Sequence, residues 1–325
     1  MILEVQDGCY TYPKATEPVL KHINFRLEDN KVMTILGRNG IGKTTLLKCM
    51  SGVFQWDSGK TFVNGKEYQS TRDIKDMAFV PQAHPLSYPY SVEDIVTMGR
   101  VRFMGALSVP SKKDKTLAQE ALVAVGMQDY AKRACTQLSG GQLQMVFIAR
   151  ALAAQPEMLV MDEPESHLDF GNQHIVLELV ERLKEERKIS CIINTHYPDH
   201  ALQISDYCLM LGRDSYLYGP GEEIITSEHI AEYFGVDTEI SSIHRKGKNF
   251  KTFVVFGTVG EDQKKEEADM KQLEELMAKK NTEELSSEKK TQEEEEDPET
   301  TGNIERYDQE ETIEKTEEPK EEQNP

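Results

Sequence analysis

Short apolar runs bounded by turn residues recur along the first two thirds of the chain and predict β-strands. Several are apolar throughout, which is typical of strands covered on both faces in a parallel sheet. The predicted strands are Leu3–Val5, Tyr10–Tyr12, Ile23–Leu27, Val32–Leu36, Lys60–Val63, Met77–Val80, Met158–Met161, Ser190–Asn194 and Tyr207–Leu211. Asn64-Gly65, directly after one of these runs, predicts a hairpin turn. Tyr10 and Tyr12 lie one strand period apart and are expected on one face.

Helical periodicity replaces this pattern between Ser91 and Gln137, where apolar residues recur at three- and four-residue spacing. Ser91 and Asp94 have the spacing of a capping box at the first helix start. Two more helices are predicted at Leu143–Ala154 and Phe170–Lys188. The apolar face of the second one is expected to contain Ile175, Leu179 and Leu183. Strands alternating with helices indicate an α/β fold with a largely parallel, doubly wound sheet, into which a helical subdomain is inserted at about residues 88–155.

The formal net charge of −19 is concentrated at one end of the chain. Residues 261–325 contain 25 Asp and Glu against 10 Lys and Arg, a net charge of −15 that leaves −4 for residues 1–260. The C-terminal segment lacks the apolar residues that a packed core needs, so we expect one domain at 1–260 and a disordered acidic tail at 261–325. A short helix around Met270 is the one element expected there. The acidic balance also argues against nucleic acid as a partner.

Cysteine spacing and hydropathy indicate in which part of the cell the protein is expected. The five cysteines (Cys9, Cys49, Cys135, Cys191 and Cys208) are scattered, without a C-x-x-C pair, and are expected to remain reduced. The first residues include acidic side chains where a signal peptide has a basic start and an apolar core. No apolar run approaches the ~20 residues that cross a bilayer. We therefore expect a cytosolic protein that contacts a membrane only through a partner.

Residues 37–44, Gly-Arg-Asn-Gly-Ile-Gly-Lys-Thr, fit the pattern of a phosphate-binding loop. The loop lies between the predicted strand Val32–Leu36 and a predicted helix at Thr45–Met50, as such a loop requires. Its glycines allow backbone N–H groups to surround a polyphosphate at the positive end of the helix. Lys43 is expected to contact the β- and γ-phosphates, and Thr44 to bind Mg²⁺. The alternative is a glycine-rich turn that binds nothing, which the strand, loop and helix order disfavours.

Two further motifs identify a family. Leu138–Gln142, Leu-Ser-Gly-Gly-Gln, opens a predicted helix, and Asp162-Glu163 follows the strand Met158–Met161. The phosphate loop alone is shared by kinases and GTPases, but this pentapeptide at this position is not. With these motifs, residues 2 to about 240 resemble the ATP-binding subunit of ABC transporters. The resemblance implies a P-loop NTPase of ABC type, with a mainly parallel sheet core, an antiparallel β subdomain and an inserted helical subdomain.

The resemblance also implies roles for individual residues in binding and hydrolysing Mg-ATP. The expected catalytic residues are Glu163 as general base, His196 and Gln82 as contacts to the γ-phosphate, and Lys43. The expected Mg²⁺ ligands are Thr44, Gln82 and Asp162. The expected ATP-binding residues are Tyr12, with Tyr10 as second choice for stacking on adenine, and Gly37, Arg38, Asn39, Gly40, Ile41, Gly42, Lys43, Thr44, Thr45, Ser139, Gly140, Gly141, Gln142 and Asp169.

Partners are implied in the same way. Members of the family form a head-to-tail dimer in which the pentapeptide of one copy meets the ATP held by the other. The loop Ser166–Asp169 crosses between the copies, and Ala83–Arg100 receives a helix from a transmembrane permease. We therefore expect a second copy of the chain, permease subunits and, indirectly, an extracytoplasmic substrate-binding protein as partners. The chain is expected to lie peripherally on the inner face of the membrane.

A finer resemblance concerns the cargo. Ser91–Arg100, Glu165–Asp169 and Thr195–Ala201 are similar to importer members for iron-siderophore complexes, haem and cobalamin. Glu165 departs from the family, where a small hydroxyl residue is usual, and Met145 replaces a basic or apolar residue. Neither departure is expected to touch the reacting atoms.

The alternative is a soluble ABC ATPase that acts on DNA or in translation. Members that repair DNA need a long coiled coil, and the ~55 residues between Gln82 and Leu138 are too few to form one. Translation members carry two ATPase halves, whereas this sequence has one phosphate loop. A third possibility, a scaffold that binds ATP without hydrolysing it, is disfavoured because Glu163 and His196 are both present.

Overall fold

The computed structural model describes residues 1–68, 74–84, 86–105, 108–245 and 247–259. Its strands are β1 (Leu3–Tyr10), β2 (Leu20–Leu27), β3 (Val32–Gly37), β4 (Ser58–Val63), β5 (Lys66–Tyr68), β6 (Met77–Val80), β7 (Met158–Asp162), β8 (Ser190–Asn194), β9 (Tyr207–Leu211), β10 (Tyr216–Pro220), β11 (Val236–Arg245) and β12 (Lys248–Thr258). Its helices are α1 (Lys43–Met50), α2 (Val92–Thr97), α3 (Lys112–Ala124), α4 (Gly140–Ala153), α5 (Phe170–Arg187), α6 (Pro198–Ile204), α7 (Gly221–Ile224) and α8 (Ser227–Phe234). Three short 3₁₀ helices lie at Met98–Phe103, Gln128–Tyr130 and Cys135–Gln137.

A six-stranded sheet forms the centre of the fold, in the order β10-β9-β3-β8-β7-β6. The pairs from β9 to β6 are parallel, and β10 is an antiparallel edge strand. Because β3, β7 and β8 are adjacent and parallel, their carboxyl ends meet at one edge, where the phosphate loop follows β3. Ligands of open α/β sheets bind at this kind of edge, so the fold positions a site there.

Two smaller sheets accompany it. Strands β2-β1-β4-β5 form an antiparallel sheet, and the predicted Asn64-Gly65 turn joins its last two strands. Strands β11 and β12 form a separate antiparallel hairpin. The predicted class, a mainly parallel core with an antiparallel β subdomain and inserted helices, is confirmed by this topology.

Alternate residues of the central strands pack into two different cores. In β7, Leu159 and Met161 join the core with α2, α3, α4 and α5, whereas Met158 and Val160 join the core with β1, β2 and α1. Successive side chains of a strand point to opposite faces of the sheet, and both faces of β7 are buried in a core. The strand is therefore apolar at four successive positions. The helices α2, α3 and α4 form a helical block, and the central sheet links this block to the antiparallel sheet.

Several boundaries differ from those predicted. No separate strand forms at Tyr10–Tyr12: Tyr10 ends β1, and Tyr12 lies beyond the strand. Ile175 was expected on the buried face of α5 but is 48% exposed, because the buried face runs through Val176, Leu179, Val180 and Leu183. The regular 3.6-residue helix period places 176, 180 and 183 along one stripe, and 175 falls beside it.

Residues 212–259 had no predicted elements, yet they form β10, α7, α8 and the long hairpin of β11 and β12. Ser91 does cap α2, since its Oγ accepts a hydrogen bond from the Asp94 N–H.

The acidic tail and the helix expected around Met270 lie outside the described residues, so the domain boundary at 260 stays a prediction. In the part of the chain that is described, no helix is long and apolar enough to cross a bilayer.

Candidate active site

The phosphate loop turns sharply between β3 and α1. Gly42 caps α1 in a left-handed conformation, with φ 114° and ψ 6°. A Cβ on Gly37 would lie 2.7 Å from the carbonyl oxygen of Leu211. Both positions therefore need glycine, the first for its φ and the second for the close approach of β9. The glycines that the motif requires are thus explained by the local geometry.

Lys43 is buried at the first position of α1. Its Nζ donates hydrogen bonds to the carbonyl oxygens of Gly37 and Arg38, at 2.8 and 3.1 Å. Burial lowers the pKa of this ammonium group, while the charges of Glu163 and Asp162 oppose the shift. The loop therefore holds a cation at its centre, facing two carboxylates.

Three side chains from neighbouring strands and α1 meet beside Lys43. The Thr44 hydroxyl donates to Asp162 Oδ1 at 3.0 Å, and Asn194 Nδ2 donates to the same oxygen at 2.6 Å. Asp162 and Asn194 are register partners in β7 and β8, which explains why they meet. The buried Asn194 Oδ1 has no hydrogen-bond partner. Asn194 was absent from the sequence-based site, although its place at a strand end beside Asp162 could have indicated it.

Mg²⁺ prefers hydroxyl and carboxylate oxygens, and Thr44 and Asp162 supply one of each. Within the described residues, no group of three His, Cys, Asp or Glu side chains is arranged to hold a metal ion by itself. Such a sparse set of ligands fits a cation that is completed by phosphate oxygens and water. The residues therefore fit Mg²⁺ bound together with a nucleoside triphosphate.

Glu163 follows Asp162 at the strand end with a positive φ of 46°. Its Oε2 accepts a hydrogen bond from the Ser166 hydroxyl at 2.9 Å and lies 3.8 Å from His196 Nδ1. That histidine nitrogen is buried and has no hydrogen-bond partner. The structure thus brings Glu163 and His196 together from β7 and the end of β8. Ser166 was expected only in the loop that crosses between the copies, and its contact with Glu163 of its own chain was not predicted.

A cleft of about 390 Å³ opens over these groups. It is lined by Tyr12, Val19, Asn39, Gly40, Gly42, Lys43, Thr44, Thr45 and Glu163. Tyr12 is 43% exposed, and its hydroxyl lies 2.7 Å from the Thr45 hydroxyl. Tyr10, the second choice for a base contact, is buried and stacks on Phe54 with ring centroids 5.2 Å apart. Of the two tyrosines, Tyr12 is thus the one that a nucleotide base in the cleft could reach.

Gln82 lies just after β6, and its Nε2 lies 3.1 Å from His167 Nδ1. The next residue, Ala83, donates its N–H to Gln144 Oε1 on α4 at 3.0 Å. The segment after β6 is therefore bonded to the loop after Glu163 and to the helical block, whereas the Gln82 side chain is bonded to neither Thr44 nor Asp162. Its expected contact with Mg²⁺ stays a prediction.

The Leu138–Gln142 motif forms the start of α4, away from the cleft lining. Ser139 caps the helix in a reciprocal capping box: its Oγ accepts from the Gln142 N–H at 3.3 Å, and Gln142 Oε1 accepts from the Ser139 N–H at 3.1 Å. Ser139 and Gly140 are exposed, whereas Gly141 is buried against Asn172 of α5. The motif therefore presents an open helix N-terminus that its own chain does not bring to the phosphate loop.

Asp169 caps α5, beside that helix start. Its carboxylate accepts hydrogen bonds from the backbone N–H and the side-chain Nδ2 of Asn172, at 2.9 and 2.7 Å. These bonds hold the pKa of the Asp169 carboxyl below its ordinary value, with the backbone bond as the larger cause. Asp169 is thus held by Asn172 of its own chain, and its expected contact with ATP stays a prediction.

Comparison with known proteins decides the family. The sequence model of the family described as ABC transporter matches residues 20–166. A protein of Haemophilus influenzae, described as an uncharacterized ABC transporter ATP-binding protein, is 38% identical over 248 residues, 75% of this chain and 93% of that protein. The chain belongs to the ABC transporter family. It is an ATP-binding subunit and an ATPase, as the sequence resemblance implied.

Other ABC ATPases with described cargo are also similar. The molybdate import ATP-binding protein MolC of Haemophilus influenzae is 34% identical over 243 residues, 75% of this chain and 92% of that protein. The iron(3+)-hydroxamate import ATP-binding protein FhuC of Bacillus subtilis is 34% identical over 234 residues, 71% of this chain and 87% of that protein. A solved metal-chelate type ABC transporter, in an inward-facing conformation, has a TM-score of 0.71 and 33% identity, covering 78% of this chain and 97% of that chain.

Proposed function

We propose that this ABC ATPase drives an importer for metal-containing solutes, such as iron-siderophore complexes, haem, cobalamin or related chelates. The observation that carries the ATPase part is the convergence of Lys43, Thr44, Asp162 and Glu163 at one sheet edge. The import direction and the solute class are supported by the described cargo of similar subunits, which includes molybdate and iron(3+)-hydroxamate. These two cargoes differ chemically, so the class is metal-containing rather than strictly iron.

In this proposal the chain's own groups divide the work of hydrolysis. Lys43 binds the β- and γ-phosphates in place of the two carbonyls that it now contacts, and Tyr12 stacks on the adenine. Glu163 accepts the proton of the attacking water, and its Oε2 is oriented by the Ser166 hydroxyl. His196, with Nδ1 turned towards Glu163, presents its other ring nitrogen to the γ-phosphate.

Mg²⁺ would be held by Thr44 and Asp162, with Gln82 joining when the nucleotide is bound. When bound, the cation supplies charge neutralisation on the β- and γ-phosphates. Asn194 donates to Asp162 Oδ1 and so orients that carboxylate towards the cation.

The functional unit in this proposal is a head-to-tail dimer. Ser139 and Gly140 are exposed at a helix N-terminus, where backbone N–H groups favour an anion. Since these residues do not line the cleft of their own chain, the γ-phosphate that they contact is the one held by a second copy. Each of the two sites is then built from the loop of one subunit and the α4 start of the other.

Coupling to a permease follows from the segment after β6. Gln82 follows β6, in which Val80 pairs with Met161 of β7, and Ala83 is bonded to Gln144 in the helical block. Tyr88 and Tyr90, a few residues on, are exposed aromatic side chains that contact each other, with ring centroids 6.2 Å apart. Such a surface suits a short amphipathic helix of a membrane subunit. The chain would thus lie peripherally on the inner face of the membrane, and a substrate-binding protein would act through the permease.

The test is purification of the full chain from its native membranes, followed by identification of the permease that accompanies it. We expect a polytopic permease to copurify, and the reconstituted complex to transport a metal chelate or a metal oxyanion with Mg-ATP. The Glu163→Gln complex should assemble but not transport. Copurification with ribosomes or DNA instead of a permease would overturn the transport role in favour of the soluble alternative.

A further inference from the structure

Glu165 is an unusually placed carboxylate, two residues beyond Glu163. It is only 1% exposed, and in the described part of the chain no Lys or Arg forms an ion pair with it. One oxygen, Oε1, accepts a hydrogen bond from the Thr195 hydroxyl, while Oε2 is buried without a partner. A buried carboxylate is costly unless it is paired, so this side chain needs a partner to offset its desolvation.

His200 of α6 is the ionisable side chain that faces this carboxylate. Its side chain is 13% exposed, and its Nδ1 lies 3.7 Å from Glu165 Oε1. That nitrogen is also buried without a hydrogen bond. His200 Nδ1 therefore lies against Oε1, the carboxylate oxygen that also accepts from Thr195, while Oε2 has no partner among the described residues. An imidazole N–H and a carboxylate oxygen are complementary hydrogen-bonding groups, so the two side chains are placed as a pair.

The pair is connected to the active site through Tyr197. The ring of Tyr197 lies between two imidazoles, with centroids 4.8 Å from His200 and 4.1 Å from His196. The Thr195 hydroxyl, which donates to Glu165, also accepts the Tyr197 N–H at 3.0 Å. Glu165 therefore holds Thr195 at one end of the turn that carries His196, and the Thr195 hydroxyl binds Tyr197 at the other end.

The Glu165–His200 pair has the same arrangement as the Glu163–His196 pair in the candidate active site. Glu163 faces His196 at 3.8 Å, and Glu165 faces His200 at 3.7 Å, with Tyr197 between the two imidazoles. A small hydroxyl side chain at position 165 could not reach both Thr195 and His200, since it has one polar atom and a shorter stem. The unusual glutamate at position 165 is thus accompanied by a histidine, His200, that faces it.

We propose that Glu165 and His200 form a second carboxylate–imidazole pair that positions His196, through Thr195 and Tyr197, for its contact with the γ-phosphate. Glu165 is a positioning residue, because its side chain contacts Thr195 and His200 and does not line the cleft. The inference rests on the proposed role of His196 in ATP hydrolysis. It assigns a function to the residues that distinguish this chain's loop after Glu163.

The test compares Glu165→Gln and His200→Gln in the full chain. Both variants should bind ATP with wild-type affinity, because the cleft residues are untouched. Their kcat should fall by about 10- to 100-fold at nearly unchanged KM, since a displaced group costs rate rather than binding. The double variant should be no slower than the slower single variant, because both changes remove the same pair.

A surface pair of the same chemistry provides the control. His174 Nε2 lies 3.2 Å from Glu178 Oε1 on α5, where the two side chains are 59% and 65% exposed. Glu178→Gln should leave kcat unchanged. The imidazole NMR signals of His196, assigned with a His196→Gln variant, should shift in Glu165→Gln and not in Glu178→Gln. This spectroscopic readout would not respond to a role in stability alone.

Two results would overturn the inference. One is wild-type kcat in Glu165→Gln or, if that variant fails to fold, in His200→Gln. The other is a loss of kcat in these variants with unchanged His196 signals. Failure of the proposed hydrolysis mechanism is recognised separately: in that case Lys43→Ala or Glu163→Gln would retain wild-type turnover.

Discussion

The phosphate loop and the start of α4 are both glycine-containing turns into a helix, but their polar groups are satisfied in different ways. In the loop, Thr44 is bonded to Asp162 of β7 and Lys43 to carbonyls of the loop itself, within a cleft. At α4, the side chains of Ser139 and Gln142 are bonded to each other's backbone, and the turn is exposed. One half of the proposed site is therefore assembled by the fold of this chain, whereas the other half is preformed but has no ligand from its own chain.

The largest effect is expected at the assembled half. Lys43→Ala removes the buried cation from the loop, so ATP binding and turnover should fall by about 100-fold or more. Lys48→Ala, at a half-buried lysine on the same helix that lies over Phe54, is the control and should retain both. Nucleotide titration and steady-state ATPase assays measure the two effects. Comparable binding in the two variants would show that Lys43 does not contact the phosphates.

Glu163→Gln should separate binding from chemistry in the same half. The amide is nearly isosteric but cannot accept the proton of the attacking water, so turnover should fall by about 100-fold or more while ATP affinity persists. Glu157→Gln, at the opposite end of β7, should hydrolyse ATP normally. Rapid-quench assays of product formation distinguish the two. Hydrolysis by Glu163→Gln at the wild-type rate would remove Glu163 from the role of base.

A variant at the start of α4, the preformed half, tests whether a second subunit docks there. A Cβ on Gly140 has no atom within 4 Å, so Gly140→Gln should fold with unchanged stability and bind ATP normally. Because a second subunit is proposed to dock there, turnover should nevertheless fall by about tenfold or more. Thr116→Gln on the exposed side of α3 is the control. Full activity in Gly140→Gln would mean that no partner approaches this turn.

The smallest effect on turnover is expected away from both halves, at the Arg100–Asp114 ion pair inside the helical block. Hydrogen bonds from Ser111 and then from Arg100 lower the pKa of Asp114 to about 2. The carboxylate therefore stabilises the fold above the unfolded-state pKa of about 4, and this contribution is lost as the pH falls towards 2. Asp114→Asn should lower the free energy of unfolding at neutral pH, with the difference from wild type shrinking below pH ~4.

Urea unfolding at a series of pH values measures this difference, and the ATPase rate of the folded variant at neutral pH should stay close to wild type. A difference that grows as the pH falls would contradict the assignment of the shift to a bonded carboxylate. A large loss of turnover would instead connect the helical block to the chemistry through this pair.

The sequence predicts those parts of the molecule in which local pattern and chemistry coincide. Buried, largely apolar strands ending in Gly37 and Asp162 place the loop and the carboxylates at one edge, because parallel neighbours share their carboxyl ends. It does not predict that Glu165 meets His200, since that contact joins residues 35 positions apart through the packing of α6. It also does not predict the hairpin of β11 and β12, whose exposed apolar residues show no clear alternation.

The most direct test of the two-part site asks whether the halves meet between chains. Asn39 of the loop and Ser139 of α4 are both exposed, and four of the five native cysteines are buried. Differently tagged Asn39→Cys and Ser139→Cys chains, both in the Glu163→Gln background, are mixed with and without Mg-ATP and oxidised. We predict a disulfide between the two kinds of chain that forms with Mg-ATP and not without it. Disulfides only between like chains, or equal yields with and without Mg-ATP, would contradict the head-to-tail site.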